Sequence, residues 1–177
     1  LAACLPRWRR ASNDAGRTMV RPSKAGPSQA SREPPLDPIM LQQWIYGPGN
    51  VIPGDEAYFK ELLSPVGVTS EMTLLDLNAG MGGAGVAIVK ASKNYVSAFE
   101  RHPDLVKAGA TFLRKHKAGR NVQLAAYDPE NFALRAGFYD CVMVRELVST
   151  LSNKEAFFQA VSVGLKPFAQ VVIADFV

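Results

Sequence analysis

Residues 72–77, MTLLDL, form an apolar run that passes directly into Asn78-Ala79-Gly80-Met81-Gly82-Gly83-Ala84-Gly85. A short buried strand, a glycine-rich turn and a helical stretch in immediate succession leave few folds open. Gly80 and Gly82 remove side chains where backbone must pass close to a ligand. The helix expected over 82–92 points unpaired N–H groups at the same place. Asp76 sets a carboxylate just before the turn.

The pattern then repeats. Tyr95–Glu100 reads as a second strand, Val122–Ala126 as a third, Tyr139–Val144 as a fourth and Gln170–Phe176 as a fifth. A helix starting at Pro103 runs to about Lys117, with Leu105, Val106, Ala110, Phe112 and Leu113 on its apolar side. Lys154–Leu165 is another helix. Strands alternating with helices of about ten residues imply parallel βαβ units in an open twisted sheet, doubly wound with helices on both faces. Right-handed crossovers place the binding crevice at the carboxyl ends of the strands.

Ahead of this unit, residues 39–46 (IMLQQWIY) read as a short amphipathic helix, and Gly47-Pro48-Gly49-Asn50 as a breaker. A second helix spans about 55–64, with Tyr58, Phe59, Leu62 and Leu63 on one face, and Pro65 ends it. The expected organisation is a basic tail over 1–37, an N-terminal helical lid over 38–70 and the sheet domain over 71–177. The tail has few large apolar residues and no period, so it is expected to be disordered. Its Arg/Ser/Ala composition faintly resembles a transit peptide, but Asp14 and a weak apolar face favour a plain extension. Met19 and Met40 are candidate starts.

Charge excludes one class of partner. Residues 1–37 hold seven Lys/Arg and three Asp/Glu, which accounts for the whole net charge of +4; the remainder balances. The folded part therefore has no excess positive charge for a phosphate backbone, and no nucleic-acid partner is expected. No apolar stretch approaches the roughly 18 residues of a membrane helix, so no membrane partner is expected. Cys4 and Cys141 provide neither a disulfide framework nor metal-ligand spacing, which favours a reducing, cytoplasmic setting and no metal. His102 and His116 read as surface residues.

The segment Leu74–Gly85 resembles the first motif of class I, Rossmann-like S-adenosylmethionine-dependent methyltransferases, acid-x-Gly-x-Gly-x-Gly. Asp76, Gly80 and Gly82 match it, and Asn78 stands where the first glycine is usual. Asn tolerates positive φ better than most residues, so the turn can survive. Glu100 ends the second strand where the family's acid binds ribose hydroxyls, with Arg101 beside it. Asp128 stands where an acid accepts from the adenine amino group. Phe138-Tyr139-Asp140 resembles the family's fourth-strand opening, and Arg145-Glu146 lie at that strand's carboxyl end. Gly164-Leu165-Lys166-Pro167 resembles the turn before its fifth strand, with Phe168 and Ala169 in place of two glycines.

The resemblance implies S-adenosyl-L-methionine as cofactor, held by Asp76, Asn78, Gly80, Gly82, Glu100, Arg101, Asp128 and Arg145, and a sheet that stops after its fifth strand where the full fold has two more. It implies methyl transfer to a small-molecule acceptor. Residues 44–54 (WIYGPGNVIPG) and 144–152 (VRELVSTLS) also resemble phosphoethanolamine-type N-methyltransferases, in which such a turn lids the cofactor. That group's catalytic tyrosine and histidine fall near Gln42 and Thr150, which cannot act as comparable bases near neutral pH, so no catalytic residue is assigned. Tyr46 is either a lid contact or a packed aromatic. Two other readings stay open. One is a methyltransferase-like binding or assembly domain without activity. The other is a dinucleotide oxidoreductase, disfavoured because Asp76 would repel a pyrophosphate.

Overall fold

The computed structural model describes residues 37–176, so Cys4 and the disorder expected of the tail lie outside the described residues. Asp37, assigned to that tail, instead caps α1 (Pro38–Tyr46): its carboxylate accepts from the Ile39 N–H. The amphipathic reading of α1 needs correction. The helix carries no charge and buries no residue, and Trp44 is 85% exposed. It is held through Gln43, whose side-chain oxygen accepts from the Gly49 N–H at 3.1 Å.

α2 (Glu56–Leu63) starts on Asp55, whose carboxylate accepts from Tyr58 N–H at 2.8 Å, and buries Phe59 and Leu63 as the spacing predicts. Next come β1 (Thr73–Leu77), α3 (Gly83–Ser92), β2 (Tyr95–Glu100), α4 (Pro103–Lys115), β3 (Val122–Ala126), β4 (Tyr139–Arg145), α5 (Lys154–Gly164) and β5 (Leu165–Ala174). Proline at the first turn of α4 fits a position whose N–H has no helical partner.

The five strands are all parallel in the order β3-β2-β1-β4-β5. The chain winds outward from β1 in both directions, so the strand order reverses between β1 and β4 and opens a crevice at their carboxyl ends. Alternation along the strands divides the core in two. Leu74, Val96, Ala98, Cys141 and Met143 pack under α2, α3 and α4. Leu75, Leu77, Val142 and Val144 face α5 through Phe157 and Val161.

Strict alternation of strand and helix fails once. Residues 127–138 form no helix, and Tyr127, Phe132, Leu134 and Phe138 cover the second face in its place. β5 also starts earlier than residue 170. Leu165 pairs with Tyr139, then the register jumps so that Gln170 pairs with Cys141. The turn expected at 164–167 is thus absorbed into a bulge, at which Phe168 adopts φ 66° and is fully exposed. Glycine would hold that conformation at lower cost.

Asp140 fastens the entrance of the sheet. Its carboxylate accepts from the Thr73 N–H of β1 at 2.8 Å and from Lys166 Nζ of β5 at 2.7 Å. Burial pushes its carboxyl up, but the Lys166 and Thr73 bonds outweigh this and hold it below the usual carboxylate range. A depressed folded pKa contributes stability above the unfolded value of about 3.9 and loses it as pH falls through the folded pKa. Asp140→Asn is therefore expected to be less stable than the parent at pH 7, with the gap narrowing below about pH 4 as the parent's carboxylate protonates. Urea midpoints measured across that range check it.

Candidate functional site

The crevice is built where β1, β2 and β4 end. Asp76 occupies the face of β1 that lies under α2 and α3, and Arg145 occupies the same face of β4. Their side chains meet at 3.5 Å with residue exposures of only 1% and 2%. The Arg145 guanidinium stacks over the Phe59 ring of α2 at 4.9 Å. Asp76 Oδ1, Arg145 Nε and Arg145 Nη1 have no hydrogen-bond partner among the described residues. Burial raises the Asp76 pKa, Arg145 lowers it, and the nearby Glu100 raises it again, for a net upward shift. Unmet donors and acceptors in a buried pair are costly, and at the mouth of a crevice they mark groups available to a ligand.

Glu100 organises the glycine turn. Its two oxygens accept from the Gly80 N–H at 2.7 Å and the His102 N–H at 2.9 Å. The N–H groups of Asn78 and Ala79 both donate to the Phe99 carbonyl, so the turn folds back over the end of β2. Gly80, Gly82 and Asn78 all take positive φ, at 59°, 88° and 71°. Asn78 accordingly accepts the backbone expected of the glycine it replaces. Its side chain adds a link, donating from Nδ2 to the Arg145 carbonyl at 2.9 Å, which ties the turn to β4. Glu146, the next residue of that segment, is also held at positive φ, 47°.

The N-terminal segment lies directly on this turn. The Gly83 N–H donates to the Gly49 carbonyl at 3.1 Å. A side chain at Gly83 would collide with Asn50 and the Gly49 carbonyl, and one at Gly80 with Val51. The first donor of α3 is thus already taken by protein. A pyrophosphate would have to compete with that bond and with the Asp76 charge, which argues against the dinucleotide reading.

Arg101 leaves the end of β2 and donates from Nη1 to Thr150 Oγ1 at 3.1 Å, while its Nε is buried without a partner. This bond bridges the crevice to the turn after β4. Asp128 is exposed, with one oxygen engaged by the Glu130 N–H, so it sits at the edge of the site rather than in the buried cluster. His102 and His116 are exposed as expected. Tyr127 has no role that the sequence motifs assign. Its hydroxyl is buried without a partner among the described residues, and burial, reinforced by the charges of Glu100 and Asp76, drives its pKa well up; its ring packs on Phe99 and Phe132 against the second face of the sheet. Only its place beside Asp128 at a strand end could have signalled it. Gln42 and Thr150 are both exposed, and Tyr46 is half-buried. Among the described residues no cluster of three or more His, Cys, Asp or Glu could hold a metal, and no helix is long and apolar enough to cross a membrane.

No protein-family model and no curated protein matches the sequence. Solved structures do match its shape. A candidate S-adenosyl-L-methionine-dependent methyltransferase from Methanococcus maripaludis superposes with TM-score 0.67 at 16% identity, over 76% of this chain and 59% of that one. Phosphoethanolamine N-methyltransferase 2 of Haemonchus contortus, in complex with S-adenosyl-L-methionine, gives 0.68 at 21% identity, over 76% of this chain and 31% of that one. The cyclase SpnF gives 0.67 at 13% identity, over 77% of this chain and 54% of that one. The chain thus spans between about a third and three fifths of these proteins. It has the Rossmann-like α/β fold of class I methyltransferases. The cyclase among its neighbours illustrates that this fold alone does not dictate a reaction.

Asn78 supplies the local test. Asn78→Ala keeps a Cβ in the left-handed region, which Ala tolerates less well than Asn, and removes the bond to β4, for a loss of about 2 kcal/mol. Asn78→Gly removes the same bond but eases the left-handed backbone, for a smaller loss of about 1 kcal/mol. Chemical denaturation of both variants measures the difference, and equal losses would mean that backbone strain at this position is unimportant.

Proposed function

We propose that the chain is an S-adenosyl-L-methionine-dependent methyltransferase acting on a small-molecule acceptor. The observation that carries this reading is the buried Asp76 carboxylate, with one oxygen unpartnered beside a glycine turn whose helix donor is already engaged. Asp76, Glu100 and Arg145 together leave one net negative charge in a desolvated cluster when all are ionised. Such a site favours a cation over an anion. S-adenosylmethionine is cationic at its methionine end, and the residues present fit it. Asp76 and the turn 78–82 would hold that end, Glu100 and Arg101 the ribose, and Asp128 the adenine edge. Arg145 keeps two unpartnered nitrogens beside Asp76. The cofactor, when bound, supplies a methyl carbon already activated by a sulfonium. The chain's own part is to align the acceptor, exclude water through the 47–54 segment and the Arg101–Thr150 bridge, and hold charge fixed.

Support for a small acceptor comes from the electrically balanced folded part and from the likeness of segments 44–54 and 144–152 to phosphoethanolamine-type enzymes. The Haemonchus neighbour is itself a phosphoethanolamine N-methyltransferase. A cytoplasmic setting agrees with Cys141 being a buried free thiol.

A second reading, a binding or assembly domain without activity, draws on one feature. Both Glu100 oxygens are already engaged by backbone, and Asp76, Glu100 and Arg145 are at most 2% exposed. Ligand entry therefore requires the segment over Gly80 and Gly83 to lift.

Calorimetric titration with S-adenosylmethionine and S-adenosylhomocysteine separates the two. Micromolar binding is expected for the parent, falling at least tenfold (about 1.4 kcal/mol) in Asp76→Asn and in Glu100→Gln. Circular dichroism establishes that each variant is folded. A folded parent that binds neither compound would sink the enzyme reading and leave the second.

A further inference from the structure

Among the described residues β3 stands at one side of the sheet with β2 as its neighbour. The Val96 N–H donates to the Asn121 carbonyl at 2.8 Å, and the Tyr127 N–H to the Glu100 carbonyl at 3.1 Å. Asn121, Gln123, Ala125 and Tyr127 therefore turn their backbone groups toward β2. By alternation Val122, Leu124 and Ala126 turn theirs outward. The Val122 N–H is taken by the Ala118 carbonyl. Among the described residues, Leu124 and Ala126 present both N–H and C=O along an edge that no strand pairs.

An open cavity of about 870 Å³ lies between this edge and α4. Leu113, Val122 and Leu124 supply its apolar floor, and Arg114, Lys117 and Arg120 its rim. Among the described residues, no acidic and no aromatic side chain lines it. Residues 109–121 hold four Lys/Arg and no acid, in a folded part whose charges balance as a whole. The helix dipole accounts for cations in the last turn of α4, Arg114 and Lys115. It does not account for Lys117 and Arg120, which lie beyond the helix.

We propose that this edge docks an acidic, extended peptide segment of a partner protein, which joins the sheet beside β3. Main-chain bonds to Leu124 and Ala126 fix the strand. Alternate apolar side chains rest on the Leu113–Leu124 floor, and carboxylates meet Arg114, Lys117 and Arg120. Edge addition draws affinity from the backbone and specificity from such alternate contacts. A nucleic-acid strand is the weaker fit, because the cavity has no aromatic surface for base stacking and offers main-chain groups at strand spacing.

The test uses the full chain and a fluorescent peptide of about nine residues in which Glu and Val alternate. Anisotropy is expected to report saturable binding that weakens with added salt. A peptide with proline at its centre, which cannot complete the ladder, should bind at least about tenfold more weakly. The double variant Arg114→Glu/Arg120→Glu should lose at least about tenfold and gain binding to the matching Lys–Val peptide. Lys117 sits at φ 55°, so Lys117→Gly removes a rim charge while easing the backbone, and should weaken binding without lowering the melting temperature. The proposal is overturned by any of three results: no binding to the Glu–Val peptide, equal binding to its proline version, or undiminished binding by the charge-reversed double variant. The last would assign the attraction to the basic residues of 1–37 instead. Tighter binding of a short single-stranded oligonucleotide at the same residues would also overturn it.

Discussion

Asp76 and Arg145 meet inside the protein where β1 and β4 end, and much of the site follows from that contact. Two charges so deeply buried are tolerated only when each answers the other and further polar groups complete their bonding. Here the completion is partial. One carboxylate oxygen and two guanidinium nitrogens are unmet, while Phe59 shields the pair from above. The strand order puts this imbalance at the reversal point of the sheet, under the segment that lies over Gly80 and Gly83. Removing one partner would leave an unpaired buried charge, at a cost of about 3–5 kcal/mol. The pair thus links stability of the β1–β4 junction to the electrostatics of the crevice.

Glu100 and the N-terminal segment give the glycine turn its shape from opposite sides. Glu100 holds the Gly80 N–H from below, and the Gly49 carbonyl holds the Gly83 N–H from above. Gly49 itself fits only because it has no side chain to strike Phe112 of α4. Gly109 of α4 likewise lets that helix approach the Met81 carbonyl. Three elements therefore converge on a few residues of backbone, and each contact needs a missing Cβ. A site so enclosed exchanges ligand by moving the segment that covers it, which here carries α1, the helix with no buried residue.

Most of the fold was readable because it rests on periodicity. Apolar runs bounded by glycine or proline located all five strands, and helical spacing located Phe59 and Leu63 in the core. The failures have physical causes. α1 half-buries Ile39 and Tyr46 but leaves Met40, Leu41, Trp44 and Ile45 exposed, and how little of its apolar surface is covered is something a single sequence cannot reveal. Residues 127–138 bury aromatic side chains without adopting a helix, so their core role has no period. The bulge at Phe168 depends on a register jump between β4 and β5, which is a property of the pairing. Asp76, Asn78, Gly80, Gly82, Glu100 and Arg145, which the resemblance implies as one group, lie together in the fold, while Asp128 stands at the edge. The Tyr127 hydroxyl, the Gly49–Gly83 bond and the Arg101–Thr150 bridge join residues far apart in the chain or set a side chain's direction, and no motif encodes those.

The charge balance of the crevice is the central claim, and the titration of Asp76 reads it directly. Carbon NMR of labelled aspartate carboxyls follows that group in the free chain and in the chain saturated with S-adenosylmethionine. The account predicts a free-chain pKa above the ordinary aspartate value of about 3.9, falling when the cationic ligand is bound. An Asp76 that titrates at or below the ordinary value, or that does not respond to saturating ligand, would contradict it.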